Sequence, residues 1–394
     1  MRLLYLSYWS LDEGLTQATV LPHLDVLRSS PRISHIEFVT VERDDVAPFA
    51  PSFGAARLRH VALRANRVRP AVVGRGLDFL TLPRALVRLC DGQAIDYILA
   101  RGVHAGALAH LVHRRRPIPY AVESFEPHSI YMRESRVWSV RDPRYLLQRH
   151  WEAAQKREAT ALLPVSGAYH DALLAEGIAP TRIVTVPCTV DAEQFRFSAT
   201  ARAEERRRLR IDDSAVVGIY VGKFGDTYYA AEAFAVFARF ARAFPGFRML
   251  VLSPTPRPAL EALAREGGYP PEAMTATTVA HRDVPRYLSA ADVAFATVRS
   301  VPSRLYCSPV KVGEYWASGL PVVITEGVGD DSRIVREHDA GAVFDLTPSS
   351  LAAAVDRVRV VLADAGHRAR IAGLAERYRA RARVREGYEQ LGLA

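Results

Sequence analysis

From its first residues to its last, the chain alternates short apolar runs with longer stretches whose apolar positions recur at helical spacing. The short runs, rich in β-branched and aromatic residues, read as buried strands, and the periodic stretches between them as helices. In the first half the strand readings are Leu3–Tyr8, Ile36–Val41, Tyr97–Ala100, Tyr120–Val122, Leu162–Val165 and Ile183–Val186. In the second half they are Val216–Val221, Phe247–Leu252, Ala294–Thr297, Val322–Thr325 and Ala342–Phe344. A long helix is expected near Tyr145–Ala161. Regular alternation of this kind argues for an α/β protein of parallel sheets wrapped by helices. At Pro187–Arg210 the pattern breaks into a proline, a polar turn and the charged run ARAEERRRLR. After it the strand-then-glycine arrangement restarts as GIYVGKFGD, which suggests two Rossmann-like domains facing one another across a cleft. The expected division is 1–190, 191–365 and an Arg/Ala helical tail over 366–394.

The stretch most informative about chemistry is Tyr306 to Val335, YCSPVKVGEYWASGLPVVITEGVGDDSRIV. Ser308 suits an N-cap and Pro309 a first helical position, where its missing N–H is no loss. Gly319 ends that helix two residues before Pro321. The run Val322-Val323-Ile324 reads as a strand, after which Gly327 and Gly329 open a second helix near Asp331. Lys311 and Glu314, three apart, share one face of the first helix. Its N-terminus offers unpaired N–H groups and partial positive charge, which suits a diphosphate, and Lys311 adds a full cation. One turn deeper, the acceptor-only carboxylate of Glu314 would take hydrogen bonds from both hydroxyls of a ribose. The order is that of a nucleotide-sugar grip.

The length of 394 residues exceeds one typical domain, in keeping with two. Cys90, Cys188 and Cys307 are odd in number, far apart and without CxxC spacing, so a reducing compartment is expected and no disulfide framework. MRLLYLSYW reads as a first strand, not a signal peptide, and no apolar run approaches a membrane span. The expected location is cytoplasmic, with the inner face of the membrane as an option. The net charge of +9 is carried largely by arginine, dense in Arg57–Arg75, Arg114–Arg116, Arg206–Arg210 and Arg377–Arg385. Anionic substrates, an anionic membrane or solvated arginine-rich faces all fit; no zinc-finger, KH or RNP signature accompanies the charge, which speaks against nucleic acid. Gly76–Cys90, with Leu77, Leu80, Leu86 and Leu89 beside Arg84 and Arg88, is either an amphipathic interfacial helix or packs inside the first domain.

SPVKVGEYWASGLPVV resembles the donor-binding segment of retaining GT-B glycosyltransferases, family four (glycosyl transferases group 1). The family's motif of glutamate, seven residues, glutamate places its ribose-binding Glu on Glu314 and its first Glu on Tyr306, where this chain departs. The resemblance implies a GT-B fold, a tail that crosses back to the first domain, and a nucleotide-diphosphate sugar as substrate. It also implies that Gly14 and the N–H groups of Leu15 and Thr16 approach the donor phosphates. Lys223 in GIYVGKFGD would lie on the diphosphate, although the loop's usual second basic residue is absent. Arg282 to Val284 would contact the base through the backbone. Ser308, Pro309, Lys311 and Glu314 complete the donor set. Family relatives place a catalytically important His at a first-domain strand end, which implies His128, with Glu123 and Glu126 as competitors and a surface His as the plain alternative. Arg101 would face the acceptor or sugar, or pair with a neighbouring carboxylate.

Transfer from such a donor breaks the bond between the anomeric carbon and a phosphate oxygen. On the resemblance, Lys223, Lys311 and the N–H groups at Ser308–Lys311 stabilise the departing phosphate without metal or other cofactor, and no carboxylate nucleophile is needed. The acceptor would be a glycan, a lipid-linked sugar or a small molecule. Other motifs fail on their companions. Ser308-Pro-Val-Lys311 lacks the partners of a penicillin-binding enzyme, and His281-Arg282-Asp283 spells a kinase triplet without its Asn or Asp-Phe-Gly. His104, His110 and His113 lack metal-site spacing, and no Asp-x-Asp occurs. Two other readings stay open: a nucleotide-sugar 2-epimerase of the same architecture, and a non-catalytic sugar-binding scaffold.

Overall fold

The computed structural model describes residues 1–11, 14–43 and 57–394. It divides into two compact units, Met1–Pro187 with Arg381–Ala394, and Cys188–Ala380.

In chain order the first unit holds β1 (Arg2–Ser7), α1 (Gly14–Arg28), β2 (His35–Glu42), β3 (Leu58–Arg64), α2 (Ala71–Gln93), β4 (Tyr97–Arg101), α3 (Gly102–His113), β5 (Tyr120–Phe125), α4 (His128–Glu134), α5 (Pro143–Glu158), β6 (Ala161–Pro164) and α6 (Gly167–Ala175). The sheet order is β3-β2-β1-β4-β5-β6, all parallel, with Leu3 opposite Ile36 on one side and Tyr97 on the other. Strands of a parallel sheet are covered on both faces, which is why β1 and β4 to β6 are near-continuous apolar runs. β3 was not legible as a strand because it is an edge. Arg59, Ala62 and Arg64 of LRHVALR are exposed, and its arginines and histidine blunt the edge against pairing. The expected strand Ile183–Val186 reduces to a single bridge, Leu162 to Ile183, before Pro187. The Gly76–Cys90 helix lies within α2, with Leu82 and Leu86 buried and Leu80 facing outward.

The second unit continues with α7 (Ala199–Leu209), β7 (Val217–Val221), α8 (Ala231–Ala243), β8 (Arg248–Leu252), α9 (Arg257–Glu266), β9 (Met274–Thr277), α10 (Val284–Ala290), β10 (Val293–Ala296), α11 (Val310–Ala317), β11 (Val322–Thr325), α12 (Asp331–Glu337), β12 (Gly341–Phe344), α13 (Pro348–Ala363) and α14 (His367–Arg379). Its sheet order, β12-β11-β10-β7-β8-β9, is the topology of the first sheet repeated. Both reverse direction between their first and fourth strands, the Rossmann arrangement that opens a crevice at the strands' carboxyl ends. The charged run expected to serve as connector is α7, an integral helix. Arg206 is buried there, donating to Asp292 and to the carbonyls of Ala290, Asp212, Asp213 and Ala215. The tail expected over 366–394 is divided. α14 packs on α11 in the second unit, and only from Arg381 does the chain rejoin the first, where α15 (Ala382–Gln390) sets Val384 and Tyr388 into the core beside Leu24 and Leu27.

Candidate functional site

In the second unit the crevice between β7 and β10 is bordered by the loop after β7, the 3-10 turn Pro302–Tyr306 and the start of α11. Gly222 opens the first loop at φ +137°, and a Cβ there would stand 2.7 Å from Lys311 Nζ, so this glycine makes room for the ammonium. Lys311 Nζ is buried and has no hydrogen-bond partner. It lies 4.7 Å from the ring centroid of Tyr220 and 4.5 Å from that of Tyr228, held by the negative faces of two aromatic rings in place of an anion. Burial pulls its pKa down to about 8; Glu314 acts upward and Arg304 downward. Arg304, also buried, donates from Nη2 to the Thr227 carbonyl at 2.8 Å. A buried cation without a counterion is costly. Here it stands at a helix N-terminus near a second cation, an arrangement whose electrostatics suit an anion.

Glu314 sits one turn along α11, with its Oε1 at 2.7 Å from His281 Nε2. The ring of His281 also packs on Phe195, with centroids 5.3 Å apart, and the hydrogen bond to Glu314 raises the imidazole's pKa against its burial. One carboxylate oxygen is thereby fixed in orientation. The kinase-like triplet set aside in the sequence therefore holds the partner of Glu314.

Ser308 is not the N-cap of α11. Pro309 occupies that position without a side-chain cap, because the Ser308 hydroxyl accepts from Arg379 and from the Cys188 N–H at 3.3 Å. Arg379, at the end of α14, also pairs with buried Asp331 and lies 5.7 Å from the Trp316 ring, anchoring α11 from below. Gly329 approaches so closely that a Cβ would stand 2.1 Å from the Cys307 carbonyl, which ties the loop after β11 to the start of α11. Lys223 and Arg282 are exposed, Tyr306 is half-buried at the end of its turn, and Val284 is buried in the core. Of the expected donor set, the structure brings Lys311 and Glu314 together with Arg304, Tyr220, Tyr228 and His281, which the sequence reading lacked. Among the described residues no three His, Cys, Asp or Glu side chains converge on one point. A separate hollow of about 280 Å³ beside β12 shares none of these residues, and its Arg336 and Arg357 are paired with Glu326 and Asp339.

The first unit has its own switch point between β1 and β4. There Tyr8 stacks on His104 at 5.5 Å, Trp9 meets the same ring edge-on, and Arg43 lies over both aromatics. His128 packs edge-on against His104 at 5.2 Å and against Trp138 at 5.5 Å, and Glu126 Oε1 lies 2.9 Å from its Nδ1. Burial and the charges of His128, Arg75 and Arg43 pull His104 down to about 3, whereas Glu126 raises His128 against its burial. The neighbouring β5 breaks register between Glu123 and Phe125, where Ser124 takes a left-handed conformation. Glu123 itself does not face the crevice. It is fully buried, accepting from Tyr5 at 2.5 Å and Tyr388 at 2.6 Å, beside His23 and with Arg101 at 3.7 Å. Burial opposes its ionisation, but His23, Arg101 and the Tyr388 hydroxyl outweigh it and hold it at about 2. Glu123 and Arg101 are thus spent on each other and on anchoring α15, which corrects the acceptor-side expectation for Glu123. Gly14, Leu15 and Thr16 form the first turn of α1, where backbone N–H groups lack intrahelical partners.

Residues 216–359 match the family model described as glycosyl transferases group 1. No curated protein matches the sequence at a significant level. Among solved structures, sucrose-phosphate synthase from Thermosynechococcus elongatus is similar over 100% of this chain and 98% of its own, at 16% identity and a TM-score of 0.75. HepE from Anabaena, solved in complex with UDP and glucose, is similar over 100% of both chains, at 14% identity and a TM-score of 0.73. UDP-GlcNAc 2-epimerase from Neisseria meningitidis, bound to UDP-GlcNAc, is similar over 100% of both chains, at 10% identity and a TM-score of 0.64. The chain has the GT-B fold, and the match to the glycosyl transferases group 1 model lies within its second unit.

Proposed function

We propose that this chain is a retaining glycosyltransferase, a hexosyltransferase that takes its sugar from a nucleotide-diphosphate donor and needs no metal. The observation that carries the reading is Lys311: a buried ammonium with no anionic partner, at a helix N-terminus, one turn from a carboxylate oriented for a diol. A diphosphate supplies the missing anion, and the ribose hydroxyls donate to Glu314. Arg304 takes the place of the second basic residue absent from the loop after β7. With Lys223 and the N–H groups at the start of α11, these cations fill the electrostatic role that a divalent ion fills in other transferases. As the bond from the anomeric carbon to the phosphate oxygen breaks, negative charge grows on that oxygen, beside Lys311. The acceptor hydroxyl bonds to the anomeric carbon on the same face, and its proton passes to the leaving phosphate. For the first unit we assign the acceptor to the crevice of Tyr8, Trp9, His104 and His128, whose rings suit the apolar face of a sugar.

HepE was solved with UDP, which makes UDP the first ligand to test. Calorimetric titration with UDP and other nucleoside diphosphates, with and without EDTA, is expected to give the same affinity in both buffers. If none binds, or if EDTA abolishes binding, the reading fails. The likeness to a 2-epimerase, together with Tyr306 at the first motif position, supports a second reading. Incubation with UDP-sugar alone separates them, because an epimerase inverts the sugar at carbon 2 and a transferase leaves it unchanged.

A further inference from the structure

A second cation without an anionic partner stands in the first unit. Arg43 directly follows β2, Tyr8 and Trp9 follow β1, and His104 lies in the first turn of α3 after β4. β2, β1 and β4 are neighbours in the sheet, so their carboxyl ends deliver these residues to one crevice. The Arg43 guanidinium lies 4.8 Å from the ring centroid of Tyr8 and 5.1 Å from that of Trp9. Its Nη1 donates to the Tyr8 carbonyl at 3.3 Å, and its Nη2 is buried with no hydrogen-bond partner. Ring faces and a carbonyl thus hold a guanidinium that no carboxylate neutralises. The carboxylates around the crevice are engaged elsewhere. Asp78 accepts from the Tyr8 hydroxyl at 2.9 Å and from the backbone and side-chain N–H groups of Asn66. Glu152 accepts from Ser129 and Gln148, and Glu126 faces His128. Glu42 accepts from the Leu11 N–H through Oε1; its Oε2 is buried without a partner, and its charge acts on His60, on the β3 side. The charges that act on His104 are those of His128, Arg75 and Arg43, all positive.

We propose that the acceptor is an acidic sugar, whose carboxylate or phosphate bonds to Nη2 of Arg43 while its ring lies along the aromatic side chains of the crevice. This rests on the assignment of the crevice to the acceptor. A buried N–H left unpaired is costly, and more so on a charged group; an anionic oxygen offsets that cost through a charge-assisted hydrogen bond. A neutral sugar hydroxyl would satisfy the hydrogen bond but leave the charge unbalanced. A metal ion would be repelled by Arg43, and no three metal-ligating side chains converge among the described residues.

The test is titration of the full chain, followed by NMR, with methyl β-D-glucuronide, glucose 6-phosphate and the neutral methyl β-D-glucoside. At least one acidic sugar is expected to bind about tenfold or more tightly than the glucoside, the ratio that a hydrogen bond to a charged group supplies. The glucuronide and the phosphate distinguish the two anions. Arg43→Gln should abolish the preference, and Arg43→Lys, which keeps the charge but not the planar fork, should retain part of it. Melting curves verify that each variant is folded. A folded Arg43→Gln protein that keeps the preference makes the arginine a packing element only and overturns the inference. So does a native chain that binds acidic and neutral sugars alike, or binds none of them. Calorimetry with UDP reads the second unit separately. A chain that binds no UDP yet prefers acidic sugars removes the transferase reading and leaves the acidic-sugar site standing. Loss of UDP affinity in Arg43→Gln would place the arginine at the donor and overturn the inference.

Discussion

Lys311→Met is expected to make the protein more stable and to remove its nucleotide binding. Burial lowers the Lys311 pKa from 10.5 to about 8, a depression of two and a half units. At 1.36 kcal/mol per unit, the folded chain carries a penalty of roughly 3 kcal/mol for keeping this ammonium charged at neutral pH. Met keeps the unbranched length and apolar stem but carries no charge. It also forgoes the attraction to Tyr220 and Tyr228, worth up to about 2 kcal/mol in a desolvated site. The net gain is about 1–2 kcal/mol, which in a unit of this size raises the melting temperature by roughly 2–8 °C. The pH dependence fixes the sign. The folded pKa lies below the unfolded one, so between pH 8 and 10.5 the unfolded chain binds the extra proton and stability rises with pH. That increment should appear in the difference between native protein and variant, and vanish below about pH 8. Bound diphosphate returns the lysine toward its ordinary pKa, so UDP affinity should fall as pH rises above 8 in the native protein only. Thermal melts of both proteins at pH 7 and pH 9, with and without UDP, measure all of this. A variant less stable than native, or one that UDP still stabilises fully, would refute the unpartnered-cation argument.

Glu314→Gln exchanges one acceptor oxygen for a donor group, so a ribose hydroxyl loses its partner. A hydrogen bond to a charged group is worth about 1.5–3 kcal/mol, so UDP affinity should fall roughly 10- to 100-fold in calorimetry, and an unchanged Kd removes Glu314 from the site. Glu123→Gln should act on stability alone. The depression of its pKa from 4.5 to about 2 corresponds to roughly 3 kcal/mol, fully present above pH 4.5 and lost as pH falls toward 2. Urea denaturation should show that deficit at pH 7 and its decline at acid pH, while a Glu123→Gln protein of native stability with impaired UDP binding would contradict the structural role.

How far the sequence could be read depended on whether a signal was local or assembled. Lys311 and Glu314 were legible because three positions on one helix fix their relative placement whatever the rest of the chain does. The strands were legible where burial on both faces makes an apolar run, and β3 and the short β9 were not, because edge strands carry polar side chains. Arg206 looked like part of a solvated charged run, since composition does not distinguish an arginine that caps carbonyls in the core from one that faces water. The residues that give Lys311 its character lie far from it in sequence. Tyr220 and Tyr228 arrive from β7 and the loop after it, Arg304 from the turn after β10 and His281 from the turn before α10. A parallel sheet with a switch point gathers the loops of non-adjacent strands at one crevice, so its chemistry is written in pieces, none of which has a signature alone. The missing second basic residue shows this well. A motif search looks for it beside Lys223, whereas on the proposed reading the cation comes from Arg304 across the crevice, since electrostatics depends on where a charge stands and not on which segment carries it. A departure from a linear motif is therefore weak evidence of lost function until the crevice has been examined for a side chain that arrives from elsewhere.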